Sequence, residues 1–372
     1  IRFSGRCVAN EMEFGETEGR PRGFVVIEEE TFTNNQTSDK MEYNSTPHAS
    51  LGIDDAHQAG SCSFKPALTI DRQIDHLISQ GICVNDRTAA ARTLGDANYY
   101  RLRGYWMTFE DNGAILPDTT FEHIRSVYEF DRELRLWLWR MIERVELKVR
   151  TQFAYVLSTS FGPDAYMKPG CFRDAEAHKQ SLKSIQKEID RGRRQGMPCI
   201  LHNLNKYGEL PLWAAVEVMS MGTVSALYGN LRPDLQVEGC EKPVVEEISS
   251  AFGIGPGFLK SWLRHLTMVR NICAHHGRFY NRLLKSKPRM LRRDRPWAGD
   301  REFPTFITLK RIYEVSWPEV WEVELDVLDK LIETYSRVDL APMGFPAEWH
   351  DILLLQGEQS KEAVSGSDAP ED

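Results

Sequence analysis

The stretch FEHIRSVYEFDRELRLWLWRMIERVELKVRTQFAYVL, residues 121–157, decides the fold. Ile124, Val127, Tyr128, Leu134, Leu138, Met141, Ile142, Val145, Val149, Phe153 and Val156 recur at steps of three and four, the period of a helix rather than the alternation of a strand. The spacing predicts one long buried helix, ended by Gly162-Pro163, since proline cannot continue the hydrogen-bond ladder. A helix with so wide an apolar face needs other helices to cover it.

Outward from this segment the same period returns. Thr69 is placed to cap a helix through Asp71, Ile74, Leu77 and Ile78 that stops at Gly81, and a short helix follows over Arg87 to Leu94. Further helices are predicted near residues 175–191, 212–219, 244–252, 258–275, 306–313 and 318–335. Only Gly23 to Ile27 has a brief strand-like look, and no repeat of fixed period is present. Helices joined by short loops imply an all-α domain over residues 63–352. Before it, residues 1–62 are rich in Glu, Thr, Asn, Ser and Gly and read as a mostly disordered acidic leader; residues 353–372 read as a disordered acidic tail.

The 372 residues, 41% of them apolar, suffice for one large domain or two smaller ones. No apolar run reaches the roughly 18 to 20 residues that a membrane span needs, and the opening IRFSGRCVANEMEFGETEG lacks the basic-then-apolar order of a secretory signal. A cytoplasmic chain with no membrane partner is expected. Its seven cysteines are scattered, without a CxxC pair, and are expected as reduced thiols.

A net charge of −8 argues against a nucleic-acid partner until the charge is located. Residues 1–60 hold 11 acids against 5 bases and residues 357–372 hold 5 against 1, so residues 61–356 carry +2. Within them Arg278, Arg282, Lys285, Lys287, Arg289, Arg292, Arg293 and Arg295 face a single acid, Asp294. This run reads either as a footprint for RNA phosphates, with affinity falling steeply in salt, or as a solvated loop.

The chemistry is sought at Arg270-Asn271-Ile272-Cys273-Ala274-His275, an Arg-x4-His pattern. With 31 Arg and 10 His in the chain, about one such pair arises by chance, and Arg173 to His178 also fits. Context separates them: Arg270 to His275 ends an amphipathic helix and leads into the basic run, whereas Arg173 to His178 follows Pro169-Gly170 and encloses two acids. Cleavage of RNA by its own 2′-hydroxyl needs a proton taken, a proton given and charge stabilised on the phosphate. An imidazole serves the first two and a forked guanidinium the third. On an ideal helix five residues turn about 140° past a full turn, so one motif alone is poorly arranged. A homodimer placing two motifs together would remedy that. No metal site or other cofactor is expected, because Cys273, His275 and His276 do not converge on a helix and no further ligand pair is suitably spaced.

Several separated segments resemble, in order, the Abi-like (abortive infection) family of the AbiD/AbiF type. They are Phe64-Lys65-Pro66-Ala67-Leu68-Thr69 with Gln73 and Gly81, Asn98-Tyr99-Tyr100-Arg101-Leu102-Arg103-Gly104-Tyr105, and Ile142-Glu143-Arg144-Val145-Glu146-Leu147-Lys148-Val149-Arg150. Leu210-Pro211-Leu212-Trp213-Ala214-Ala215-Val216-Glu217, the segment from Val269 to Arg282, and Met343-Gly344-Phe345-Pro346 complete the set. The resemblance implies a HEPN-like helical bundle with additional helices, a place in bacterial anti-phage defence, and kinship with metal-independent endoribonucleases that act as paired domains. By position, Arg270, Asn271 and His275 match the motif and are the expected catalytic residues. Glu146 and Arg150 match bracing positions, or form an ordinary intrahelical pair. Tyr99, Tyr100 and Arg101 are expected either to stack on or grip RNA or to belong to a packed aromatic cluster, and Arg103 stands where many relatives have a small residue. The alternative to an enzyme is a protein that holds a small RNA in a ribonucleoprotein complex; a third reading is a helical interaction module.

Overall fold

The computed structural model describes residues 66–237 and 241–355. The expected leader, the strand-like residues 23–27 and residues 356–372 lie outside the described residues. Among those described, the chain is all-α apart from one two-stranded hairpin. No described helix is long and apolar enough to cross a membrane.

The first helix, α1 (Ile70–Ser79), is capped by the Thr69 hydroxyl, and Gly81 behind it takes φ +94°. Then come α2 (Arg87–Asp96), capped by Asp86, and α3 (Tyr99–Trp106), capped by Asn98. The hairpin joins β1 (Glu110–Asp111) antiparallel to β2 (Ala114–Ile115) through a turn at Asn112 and Gly113, both at positive φ. Central to the fold is α4 (Phe121–Phe161), 41 residues long, capped by Thr120 and ended at Gly162, φ +93°. Around it lie α5 (Ala175–Arg194), α6 (Pro198–Tyr207), α7 (Leu212–Val218), α8 (Met221–Asn230), α9 (Val244–Ser250) and α10 (Pro256–Ala274). The chain closes with α11 (Phe303–Ser316), α12 (Pro318–Thr334) and α13 (Trp349–Leu353).

Helices α3, α7, α8, α9, α10 and α12 all pack on α4, which is why its apolar face is so wide. Trp137 stacks on Phe306 with ring centroids 5.6 Å apart, and the Tyr313 hydroxyl donates to the Met141 carbonyl at 2.8 Å. These contacts tie the middle of α4 to α11, whose residues from Phe303 to Tyr313 are all buried.

Two acidic residues of α4 fall on its buried face. Asp131 is fully buried and accepts from the Tyr105 hydroxyl (2.7 Å), the backbone N–H groups of Phe279 (3.1 Å) and Tyr280 (2.7 Å), and Arg135 Nε (3.2 Å). Burial pushes its carboxyl pKa up, while Arg135 and the three donors favour the anion. One side chain thus fastens α3, α4 and the segment that follows α10. The other is Glu146, which belongs to the site.

Candidate active site

Helix α10 ends in a Schellman-type turn. His275 is its C-cap, His276 N–H donates to the Cys273 carbonyl at 3.1 Å and Gly277 N–H to the Ile272 carbonyl at 2.8 Å. The left-handed position in this turn, usually glycine, is held by His276 at φ +54°, and Gly277 follows it. The His276 carbonyl accepts a short hydrogen bond from Arg101 of α3. The sequence places the helix stop at Gly277; the structure puts the strained residue one position earlier.

Arg270 leaves α10 toward α4. Its Nε donates to Glu146 Oε2 at 3.3 Å and its guanidinium lies 4.8 Å from the centroid of the Trp139 ring. Glu146 is buried, and its other oxygen accepts a short hydrogen bond from Arg150, which also donates to the Met219 carbonyl at 2.9 Å. The carboxylate therefore bridges two arginines and fixes the direction of Arg270. Arg270 itself is part-exposed, with N–H groups left for a ligand. His275 and Asn271 are exposed, and neither side chain has a hydrogen-bond partner among the described residues. Cys273 points the other way: it is buried, and burial pushes its thiol up to about 12, so it packs as an apolar residue. Among the described residues no three His, Cys, Asp or Glu gather in a way that could hold a metal ion.

Two clefts meet at the Arg101–His276 contact. One, about 530 Å³, is lined by Arg101, Tyr128, Arg132, Arg135, Trp139 and His276 among others. The second, about 470 Å³, is lined by Asn98, Tyr100, Arg101, Tyr105, His276, Gly277 and Arg278. Tyr100 is 85% exposed and Arg101 is exposed, whereas Tyr99 is half-buried against Trp106, ring centroids 5.2 Å apart. The tyrosine segment thus divides, with Tyr99 structural and Tyr100 and Arg101 beside the motif. Arg103 pairs with Glu110 and lies over Trp106.

The basic run is a strap with many internal partners. Arg278 donates to the carbonyls of Tyr280 and Asn281, both at 3.1 Å, and Arg282 to the carbonyl of Arg278 at 3.1 Å. Arg289 lies over the Phe258 ring at 4.7 Å, and Arg293 stands 3.7 Å from Glu314. The run's one acid, Asp294, is buried and pairs with Arg311 at 2.6 Å. Arg292, Arg295 and Lys285 are exposed, with no side-chain partner among the described residues. Of the second Arg-x4-His pair, His178 is buried: it stacks on Phe172 with centroids 4.0 Å apart and its Nε2 lies 2.8 Å from the Tyr166 carbonyl.

Asp131 and Arg132 were not singled out by the sequence, although Asp131 sits three before Leu134 and four after Val127, a charge in the middle of an apolar stripe. Among protein families, the model of one described as Abi-like protein matches residues 92–281, a span from α2 through the segment after α10. No curated protein and no solved structure gives a significant match.

Proposed function

The chain belongs to the Abi-like protein family, and on that premise we propose that it is a metal-independent endoribonuclease of HEPN type, acting in abortive infection. One observation carries the reading. The carboxylate of Glu146 and the ring of Trp139 fix Arg270, Trp139 also lines a cleft with Arg101, Arg132, Arg135 and Tyr128, and the unpartnered, exposed His275 stands five residues on, at the C-cap of the same helix. Cations and aromatic faces beside an imidazole suit a single-stranded RNA and its cleavage by internal attack. In this reading His275 moves the protons, Arg270 holds the phosphate and Asn271 assists. Glu146 and Arg150 position Arg270, and Tyr100 and Arg101 receive a neighbouring nucleotide. Of the basic run, Arg292, Arg295 and Lys285 are free to meet phosphate, with Arg278, Arg282, Arg289 and Arg293 holding the strap.

The partner is a second copy of the chain. Leu136, Trp139, Leu147 and Tyr155 on α4 and Trp213 on α7 are between 38% and 64% exposed; Leu136 and Leu147 share one side of the helix, with Trp139 on one flank and Tyr155 on the other. Trp139 belongs both to this apolar stripe and to the Arg270 contact. A two-fold axis through the stripe would bring two motifs to one seam and supply the second Arg-His pair that one helix lacks. Leu147→Asp should give a monomer by light scattering that no longer cuts RNA; a cutting monomer would refute the pairing.

The rival is a protein that holds a small RNA without cutting it, and the copurified RNA separates the two. Fragments with cyclic phosphate ends favour the enzyme, one intact small RNA the holder, and no RNA the interaction module.

A further inference from the structure

Beyond the motif, α10 carries a second line of polar residues. Lys260, Arg264 and Thr267 follow at steps of four and three, and Asn271 and His275 continue the line at steps of four, so all five lie along one side of the helix. The first three line a groove of about 650 Å³ closed by α8 and the start of α5, to which Arg173 also contributes. The floor is opened by glycine: a Cβ on Gly229 would stand 3.3 Å from Lys260 Cε, and one on Gly222 would stand 3.4 Å from Thr267 Cγ2. The lysine stem therefore lies flat across Gly229 with its ammonium in the groove.

The charge is unbalanced. Lys260 and Arg264 are exposed without a side-chain partner among the described residues, and the Arg173 guanidinium donates to the Gly229 carbonyl, at 3.0 Å, and to no carboxylate among them. The one carboxylate present, Asp174, already accepts the N-terminal N–H groups of α5 at 3.0 and 2.9 Å. Burial, followed by the neighbouring Arg173 and Arg264, lowers the Lys260 pKa, as expected where three cations converge on one carboxylate that is already engaged. The buried Thr267 hydroxyl oxygen has no hydrogen-bond partner.

We propose that this groove is a phosphate track in which Arg173, Lys260 and Arg264 hold the backbone of the same RNA strand on which the motif acts. The inference rests on the RNA reading of the site. From Lys260 to His275 the helix runs roughly 22 Å, a length that several nucleotides of a single strand can follow.

The test uses the full chain carrying His275→Ala, so that RNA is bound without being cut, and a labelled 20-nucleotide oligouridine whose binding is followed by fluorescence anisotropy across salt concentrations. Adding Lys260→Gln with Arg264→Gln should reduce the slope of log affinity against log salt by about 1.4, two contacts at about 0.7 each on a single strand. If the two lines meet near 1 M salt, that is about 25-fold weaker binding near 0.1 M. Arg173→Gln alone should remove about 0.7 of slope, and the charge-keeping pair Lys260→Arg with Arg264→Lys should bind like its parent. RNA binding with an unchanged slope would overturn the track and leave the proposed function standing, as would a charge-keeping pair as weak as the glutamine pair. A parent chain that binds no RNA would overturn both.

Discussion

Replacing Glu146 by glutamine keeps the shape of the side chain and removes the charge that two arginines share. In the native chain one carboxylate oxygen accepts from Arg150 and the other from Arg270 Nε at 3.3 Å. An amide offers one acceptor and turns an N–H₂ toward the remaining guanidinium, so one of the two charge-assisted bonds is lost. Such a bond is worth about 1.5 to 3 kcal/mol when shielded from water. The side chain of Arg270 is 29% exposed and that of Arg150 is 17% exposed, so solvation returns part of the loss and about 2 kcal/mol remains. For a helical domain of this size that lowers the thermal midpoint by about 3 °C. Arg270 keeps only its Trp139 contact and loses its bearing, which should slow RNA cleavage by about tenfold or more. Circular dichroism at 222 nm gives the midpoint and a labelled RNA gives the rate. A variant that matches wild type in both would show that the bridge neither stabilises the bundle nor orients the motif.

Other outcomes follow from the same structure. Asp131→Asn should cost about 3 kcal/mol in urea unfolding, because the amide meets Arg135 Nε where an anion accepted it; an unchanged midpoint would remove Asp131 as the fastening of the segment after α10. His276→Gly should raise stability by about 0.5 to 1 kcal/mol, since glycine takes φ +54° without a Cβ clash, and a loss of stability would mean that the imidazole holds the turn. Glu302, buried at the N-cap of α11 where it accepts from the Arg282 backbone N–H, has its carboxyl pKa raised by burial to about 8. A carboxyl raised on folding stabilises fully below its unfolded value, near 4.5, and that contribution fades as pH climbs through about 8. Glu302→Gln should therefore gain about 1.4 kcal/mol on wild type between pH 7 and pH 9, and a pH-independent difference would place the native group in its ordinary range.

How much of this the sequence reveals depends on where each side chain's partners lie. The helix α4 is legible because one face carries its apolar residues and Thr120 and Gly162 mark its ends. By contrast, α8 was not foreseen: Met221, Val224, Leu227, Tyr228 and Asn230 are buried on several sides, with Gly222 and Gly229 between them, so no period stands out. Helix α11 extends beyond the predicted residues 306–313 at both ends, because burial all round leaves no polar face to mark its limits. At the site, Arg270 and Glu146 were legible as residues, but their meeting across 124 positions is tertiary. The basic run shows the opposite difficulty, since the density of arginines in a sequence does not tell which already have partners, as Arg278 and Arg289 do. The groove of Lys260 and Arg264 is not legible in the sequence, because Arg173, its third cation, comes from a helix start about ninety residues away.

The central claim is that Arg270 and His275 cut RNA through the RNA's own hydroxyl, and the ends of the products test it most directly. The purified chain should cut single-stranded RNA in EDTA, leave 2′,3′-cyclic phosphate and 5′-hydroxyl ends, and spare DNA of the same sequence. His275→Ala and Arg270→Ala should each lose cleavage while keeping helical content and RNA binding, because one side chain is exposed and the other part-exposed, and neither opens a core cavity. A His275→Ala chain that cuts at the wild-type rate, or products with 3′-hydroxyl and 5′-phosphate ends, would contradict it.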